Sequence, residues 1–317
     1  MQLDRLANLQ NISRLKRILR QLSGYRLGQL EAYAPRPIGL PSDLDTEPYT
    51  SPLKFSLVTP VRDQINFVGQ TIESVIRQRF SPLEYIVMDG GSTDGTAELV
   101  AQYDEHLSHF ESQKDEGQAD AINKGFARAS GDILGWLNAD DLLLPGALEY
   151  VARFFASHPD VDVVYGDRII IDAEGNEIGR WILPSHSDWV LSWVDYIPQE
   201  TLFWRRSLWE RVGPYVDTSF NFAMDWELLV RFREFGARFR HLPRYIGAFR
   251  AHSDQKTTAQ ISLGRTEMNR IRARCLGYAP STAALRLAVA PYLLRHVARE
   301  WQWRLSQVFP AKNDLSL

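Results

Sequence analysis

Several acidic side chains in this chain fall where strands would end, the place where carboxylates do chemistry. Asn138-Ala-Asp-Asp141 directly follows the apolar run Asp132-Ile-Leu-Gly-Trp-Leu137. Two adjacent carboxylates repel each other unless a cation or hydrogen-bond donors neutralise them. Mg²⁺ or Mn²⁺ suits such a pair, because hard divalent cations take one or two carboxylates and complete their shell with water and diphosphate oxygens. The competing reading is an N-cap, with Asp140 or Asp141 starting the helix that carries Leu148, Val151 and Phe155. Asp89 closes Leu83-Glu-Tyr-Ile-Val-Met88 and opens a Gly-Gly-Ser-Thr-Asp-Gly turn. Gly90 and Gly91 supply φ freedom there, and Ser92 or Thr93 can cap the next helix. Asp225 and Glu227 begin a helix containing Leu228, Leu229 and Phe232. The helix dipole favours acids at that end, and a carboxylate there could also deprotonate a hydroxyl. His252 reads equally well as a metal or phosphate ligand and as a structural loop residue. Asp115, Asp120, Asn123 and Lys124 form a polar cluster with no apolar partner. A solvated helix face would account for it as well as a ligand would.

These side chains need a scaffold, and the hydrophobic rhythm describes one. Lys54-Phe-Ser-Leu-Val-Thr-Pro60 predicts a buried strand, and Val68, Ile72, Val75 and Ile76 predict a helix from about residue 67 to 78. A strand over 83–88, a helix to about residue 103 and a strand over 132–137 follow. Strands alternating with helices imply an α/β fold whose mostly parallel sheet has right-handed crossovers. Ligands bind outside the carboxyl ends of such strands, where helix N-termini offer free N–H groups. Residues 161–167 and 168–172 read as two further strands, residues 173–176 as a hairpin turn, and 241–250 as strand-like.

The 317 residues, 44% hydrophobic and 24% charged, suit one large globular domain with appendages. A formal net charge of −3 makes no electrostatic case for nucleic acid. A single cysteine, Cys275, excludes an internal disulfide framework and a cysteine metal cluster. No leader is visible, and no apolar run approaches the ~20 residues that span a bilayer. A cytoplasmic protein is expected, either free or peripheral at the inner face of the membrane. Residues 1–52 divide into a basic amphipathic helix, to about residue 22, and a proline-rich linker or strap from Tyr33 to Pro52. The α/β domain is expected over 53–260 and a helical, arginine-rich extension over 261–317. Either terminal helix could lie on a membrane or partner surface, or dock on its own domain. The aromatics Trp181, Trp189, Trp193, Tyr196, Phe203 and Trp204 could stack on a sugar ring or simply fill the core.

Taken together, Phe55-Ser-Leu-Val-Thr-Pro60, Val87-Met-Asp-Gly-Gly-Ser-Thr-Asp-Gly95, Asp115 to Gly125, Gly135-Trp-Leu-Asn-Ala-Asp-Asp141 and Met224-Asp-Trp-Glu-Leu-Leu-Val-Arg231 resemble the ordered motifs of family 2 glycosyltransferases. The resemblance spans about residues 54–256. It implies a GT-A fold, Mg²⁺ or Mn²⁺, and inverting transfer from a nucleotide-sugar donor, a UDP-sugar first, to a carbohydrate or lipid-linked acceptor. By the same resemblance Thr59 and Asp89 contact base and ribose. Further donor contacts are expected from Pro60, Arg62, Gly91 and Asp115, and from Asn123, Lys124, Asn138 and Ala139. Asp140 is the implied metal ligand, with Asp141 and His252 as candidates beside it, and Asp225 is the implied base. Asn138 stands where the family's metal motif has its first aspartate. A catalytically inactive scaffold, or a sugar nucleotidyltransferase, would be the alternative on the same architecture.

Overall fold

β-Branched runs separated by amphipathic stretches build a nine-stranded sheet among the described residues, which are 30–39, 47–252 and 261–308 of a computed structural model. In chain order the first half holds β1 (49–61), α1 (Val68–Ile76), β2 (Phe80–Asp89), α2 (Thr96–Ala101), β3 (His109–Ser112), α3 (Gln118–Arg128) and β4 (Ile133–Trp136). Then come β5 (Leu142–Leu143), α4 (Ala147–Ser157), β6 (Val163–Ile171), β7 (Glu177–Trp181), α5 (Asp188–Leu191), β8 (Phe203–Arg205) and α6 (Arg206–Arg211). The chain continues through α7 (Met224–Glu234), β9 (Phe239–Arg250), α8 (Ile261–Leu276) and α9 (Thr282–Val308).

The sheet runs β3-β2-β1-β4-β8-β6-β9-β5, with β7 paired to β6. The pairs β3–β2, β2–β1 and β1–β4 are parallel, so the carboxyl ends of β1, β2 and β4 share one edge. β8 runs antiparallel between β4 and β6, which makes the sheet mixed from that point. Alternation along β1 sends Phe55 and Leu57 into a core with Ile72 and Val151, and Val58 into the opposite core with Ile122 and Trp226. Burying each Phe, Leu, Ile or Val side chain in this way stabilises the fold by about 1.5–3 kcal/mol.

The structure adjusts several expectations. β1 begins at Tyr49, so the last residues of the expected linker are strand, and residues 32–36 bond to β7 through Ala32 N–H on Ile178 O and an Arg36–Glu177 bridge. Residues expected as two strands form one, β6, because its residues from Val163 to Ile171 pair continuously with β9 apart from two register shifts. Neither Asp140 nor Asp141 caps a helix; α4 starts at Ala147 after left-handed Gly146. Gly95, not Ser92 or Thr93, precedes α2. The strands β3, β5 and β8, four, two and three residues long, are too short to show a period in sequence. The expected N-terminal helix lies outside the described residues. Among the described residues no helix is long and apolar enough to cross a membrane.

Candidate active site

The loop after β4 carries Asn138 to Asp141 and is anchored from two sides. Thr71 of α1, fully buried, places its hydroxyl 2.8 Å from the carbonyls of both Ala139 and Asp141. Arg250, at the end of β9 and also fully buried, donates its backbone N–H to Asp141 Oδ1 at 3.0 Å and its Nε–H to Asp140 O at 2.8 Å. Its guanidinium also reaches Ala173 O and Gln70 Oε1 and lies over the Phe67 ring. The loop therefore has little freedom.

Within that loop the two aspartates separate. Asp141 is 1% exposed, with Oδ1 on Arg250 and Oδ2 3.3 Å from the Asn138 side-chain nitrogen. Burial, followed by repulsion from Asp140 and Glu200, pushes its carboxyl well above the usual carboxylate range. Asp140 keeps part of its side chain in solvent, and its Oδ2 lies 3.1 Å from His252 Nε2. The His252 ring is seated against Phe67, with centroids 4.6 Å apart.

A cavity of about 500 Å³ opens at this sheet edge. Its walls include Pro60 and Arg62 from the end of β1, Asp115 ahead of α3, and Asn138, Ala139, Asp140 and Asp141. Asp225, in the first turn of α7, faces the same cavity. Its Oδ1 accepts the Trp226 N–H at 2.8 Å. Burial outweighs that hydrogen bond and the nearby Arg168 charge, and the Asp225 carboxyl is pushed up to about 6.

The other expected site residues lie outside the cavity lining. Thr59 is fully buried, its hydroxyl 3.1 Å from Tyr85 Oη. Asp89 is 2% exposed and accepts from Ser92 N–H at 3.1 Å and from the Ser92 and Ser112 hydroxyls. It organises the turn after β2. Gly91, at φ +79°, packs on the Lys114 backbone. Asn123 brackets Val216 with two hydrogen bonds of 2.6 and 2.9 Å, and Lys124 pairs with Asp120 at 2.8 Å. Among the described residues His252 meets the site through Asp140.

Sequence reading passed over other cavity residues. Arg168 and Glu200 form a buried, two-point ion pair, with Nε–H on Glu200 Oε1 at 2.7 Å and a second bond from Nη2 to Oε2. The Arg168 guanidinium sits 4.7 Å from the Trp181 ring centroid and 4.6 Å from that of Phe249. Gln199 ties its side chain to Trp136 O at 2.7 Å, and Gln118 donates to Asn138 Oδ1 at 2.8 Å. These contacts join residues 20 to 63 positions apart. No local pattern could announce them.

The donor set bears on whether a divalent cation fits. Among the described residues no group of three or more His, Cys, Asp or Glu is gathered to hold a metal. Of the two adjacent aspartates, Asp140, oriented by His252, keeps its carboxylate partly open to the cavity, whereas both Asp141 oxygens are engaged. That fits a cation held by one protein carboxylate and completed by a ligand's diphosphate oxygens and water, and it does not fit an all-protein cage.

With this geometry in place, comparisons give it a family. Residues 56–253, more than half of the chain, match the model described as glycosyl transferase family 2. The chain is 32% identical over 216 residues to the O-antigen biosynthesis protein RfbC of Myxococcus xanthus, covering 66% of this chain and 16% of that protein. It is 30% identical over 181 residues to the PGL/p-HBAD biosynthesis glycosyltransferase of Mycobacterium tuberculosis (strain ATCC 25177 / H37Ra), covering 56% of this chain and 68% of the relative. The fold is similar to that of S. aureus TarS 1–349 in complex with UDP-GlcNAc, at TM-score 0.58 and 18% identity, over 83% of this chain and 76% of that one. It is also similar to the mannosyltransferase PcManGT of Pyrobaculum calidifontis in complex with GDP-Man and Mn²⁺, at TM-score 0.56 and 18% identity, over 94% and 84% of the two chains. The expected GT-A architecture, a mostly parallel sheet flanked by helices, is the one these neighbours share. The chain belongs to glycosyl transferase family 2.

Proposed function

We propose that this chain is an inverting glycosyltransferase that moves a sugar from a nucleoside-diphosphate sugar, a UDP-sugar first, to a hydroxyl of a glycan or lipid-linked acceptor. One observation carries the reading: Asp140 and Asp225, 85 positions apart in sequence, face a single cavity large enough for a nucleotide-sugar. Asp140 would hold the divalent cation. When bound, that cation supplies positive charge beside the diphosphate leaving group, where negative charge develops. Asp225 accepts the proton of the acceptor hydroxyl as its oxygen bonds to the anomeric carbon. The bond from that carbon to the diphosphate breaks in the same displacement, and configuration inverts. A carboxylate raised to about 6 is still ionised at neutral pH and is a stronger base than an ordinary aspartate.

The nucleoside end is assigned to the walls near Pro60, Arg62 and Asp115. Gly90 makes room there, because a Cβ on it would come within 2.5 Å of Asp115 Oδ2. The Gly117 N–H holds the other oxygen, Oδ1, at 2.9 Å. Asp115 is only partly buried, so its carboxylate can still accept from a ribose hydroxyl or a base N–H.

A lipid-linked acceptor draws support from α9. Leu287 and Leu294, 77% and 71% exposed and seven residues apart, share one outer face, flanked by exposed Arg286 and Arg295. The one acid of this helix, Glu300, is buried. An apolar stripe edged by arginine suits an anionic membrane surface. The opposite face of α9 places the Tyr292 ring 4.8 Å from that of Tyr196, a cavity residue.

Asn138, in place of an acid, favours the alternative of a non-catalytic scaffold. Calorimetric titration with UDP, GDP and dTDP, each with Mn²⁺ and with chelator, separates the two. One nucleotide should bind in a metal-dependent way, and Asp140→Ala should abolish that binding. No binding of any of the three under either condition would favour the scaffold.

A further inference from the structure

Helix α8 lies beyond the residues that match the family model, yet one of its faces is built against the segment that leads into Asp225. Gly264, Glu267, Arg270 and Arg274 recur every three or four residues and so share that face. Glu267, 5% exposed, accepts three backbone N–H groups, from Asn221, Phe222 and Ala223, each at 2.9 Å. Ala223 is the N-cap of α7, and that cap has no side-chain hydrogen bond of its own. Charge-assisted bonds from a single carboxylate therefore supply what the start of α7 lacks.

The neighbouring positions reinforce the grip. A Cβ on Gly264 would stand 2.7 to 2.8 Å from three Phe222 ring atoms, so only glycine lets Phe222 lie against α8. The Arg270 guanidinium sits 3.7 Å from the Phe220 ring centroid and bonds Ser219 Oγ at 2.5 Å. Arg274 reaches Glu227 at 2.8 Å and Glu234 at 3.3 Å, on the body of α7. Asn221, Phe222, Met224 and Asp225 all line the cavity.

We infer that α8 is a positioning clamp for the acceptor side of the site, with Glu267 as the positioning residue that sets where the Asp225 carboxylate stands. The inference rests on the reading of Asp225 as the base. Displacement of a reacting group by about 1 Å can cost up to ~100-fold in rate. Glu267 and Gly264 thus control turnover without touching substrate.

The full-length chain carrying Glu267→Gln or Gly264→Ala tests this, with Asp225→Asn as reference. Alanine favours a helix interior over glycine, which offsets part of the cost of the Phe222 clash, so Gly264→Ala should still fold and should bind Mn²⁺-nucleotide as wild type does. It should nevertheless lose about tenfold or more in kcat and raise KM for the acceptor, because Phe222 is pushed into the cavity. Glu267→Gln should lower kcat by a similar factor with donor KM unchanged. Its acid limb should move down from about pH 6 as Asp225 gains water. The charged groups around Asp225, namely Asp195, Arg168 and Glu200, are left intact by both variants. Wild-type kcat and acid limb in both variants, with Asp225→Asn inactive, would overturn the clamp alone. Full turnover by Asp225→Asn overturns the base assignment and the clamp with it. If Glu267→Gln does not fold, Gly264→Ala decides.

Discussion

Asp225 combines three properties that rarely coincide on a surface acid: it faces a cavity, it is largely withdrawn from water, and its carboxylate is met by the backbone N–H groups at the start of α7. Desolvation strengthens it as a base, at the cost of protonation below about pH 6. We therefore expect kcat/KM to fall tenfold per pH unit below that value, and Asp225→Asn to lower kcat by about 10²–10⁴-fold with donor affinity intact. A flat profile down to pH 5 would exclude it as the base. Asp140 and Asp141 show the opposite lesson. They are adjacent in sequence, yet one is partly open to the cavity and the other has its oxygens turned to Arg250 and Asn138.

At the scale of elements, the site is a set of loops held by the helices and strands behind them. Thr71 on α1 and Arg250 on β9 fasten the Asn138 to Asp141 loop from outside the cavity. Removing the Thr71 hydroxyl leaves buried carbonyls short of a donor, which costs about 1–3 kcal/mol. Thr71→Val is thus expected to lower the melting temperature and to weaken Mn²⁺-dependent nucleotide binding, both measurable by calorimetry. Loss of stability with binding unchanged would show that the loop holds its shape without that anchor. The strand ends and helix periods of this half were legible in sequence because each element buries one face over several turns or residues. The anchors were not, since a buried threonine and arginine look like any others until the chain brings them 70 to 110 positions back onto the loop.

Over the whole molecule, two surfaces of α9 point in different directions. The inner one backs the cavity wall through Tyr292 and through His296, whose Nδ1 lies 2.7 Å from Ile182 O. The outer one carries the leucine stripe between arginines. If that stripe meets lipid, the protein should float with vesicles containing anionic phospholipid, less so at high salt, and not with neutral ones. Leu287→Gln with Leu294→Gln should cut the floated fraction severalfold while leaving turnover of a soluble acceptor unchanged. Equal flotation of the double variant would place any membrane contact elsewhere in the chain.

Some of this protein was settled by its sequence alone. The α/β class, the parallel run of β1, β2 and β4 and the ordered family motifs follow from apolar periodicity and from glycine and acid placement, which are local properties. Which of those acids share one cavity is not local. Asp115, Asp140 and Asp225 converge there, while Asp89, although at a strand tip, is consumed by Ser92 and Ser112. Exposure and partners depend on what packs against a side chain from distant parts of the chain. The Arg168–Glu200 pair in the cavity wall and the hold of α8 on the approach to Asp225 therefore exist only in the tertiary structure.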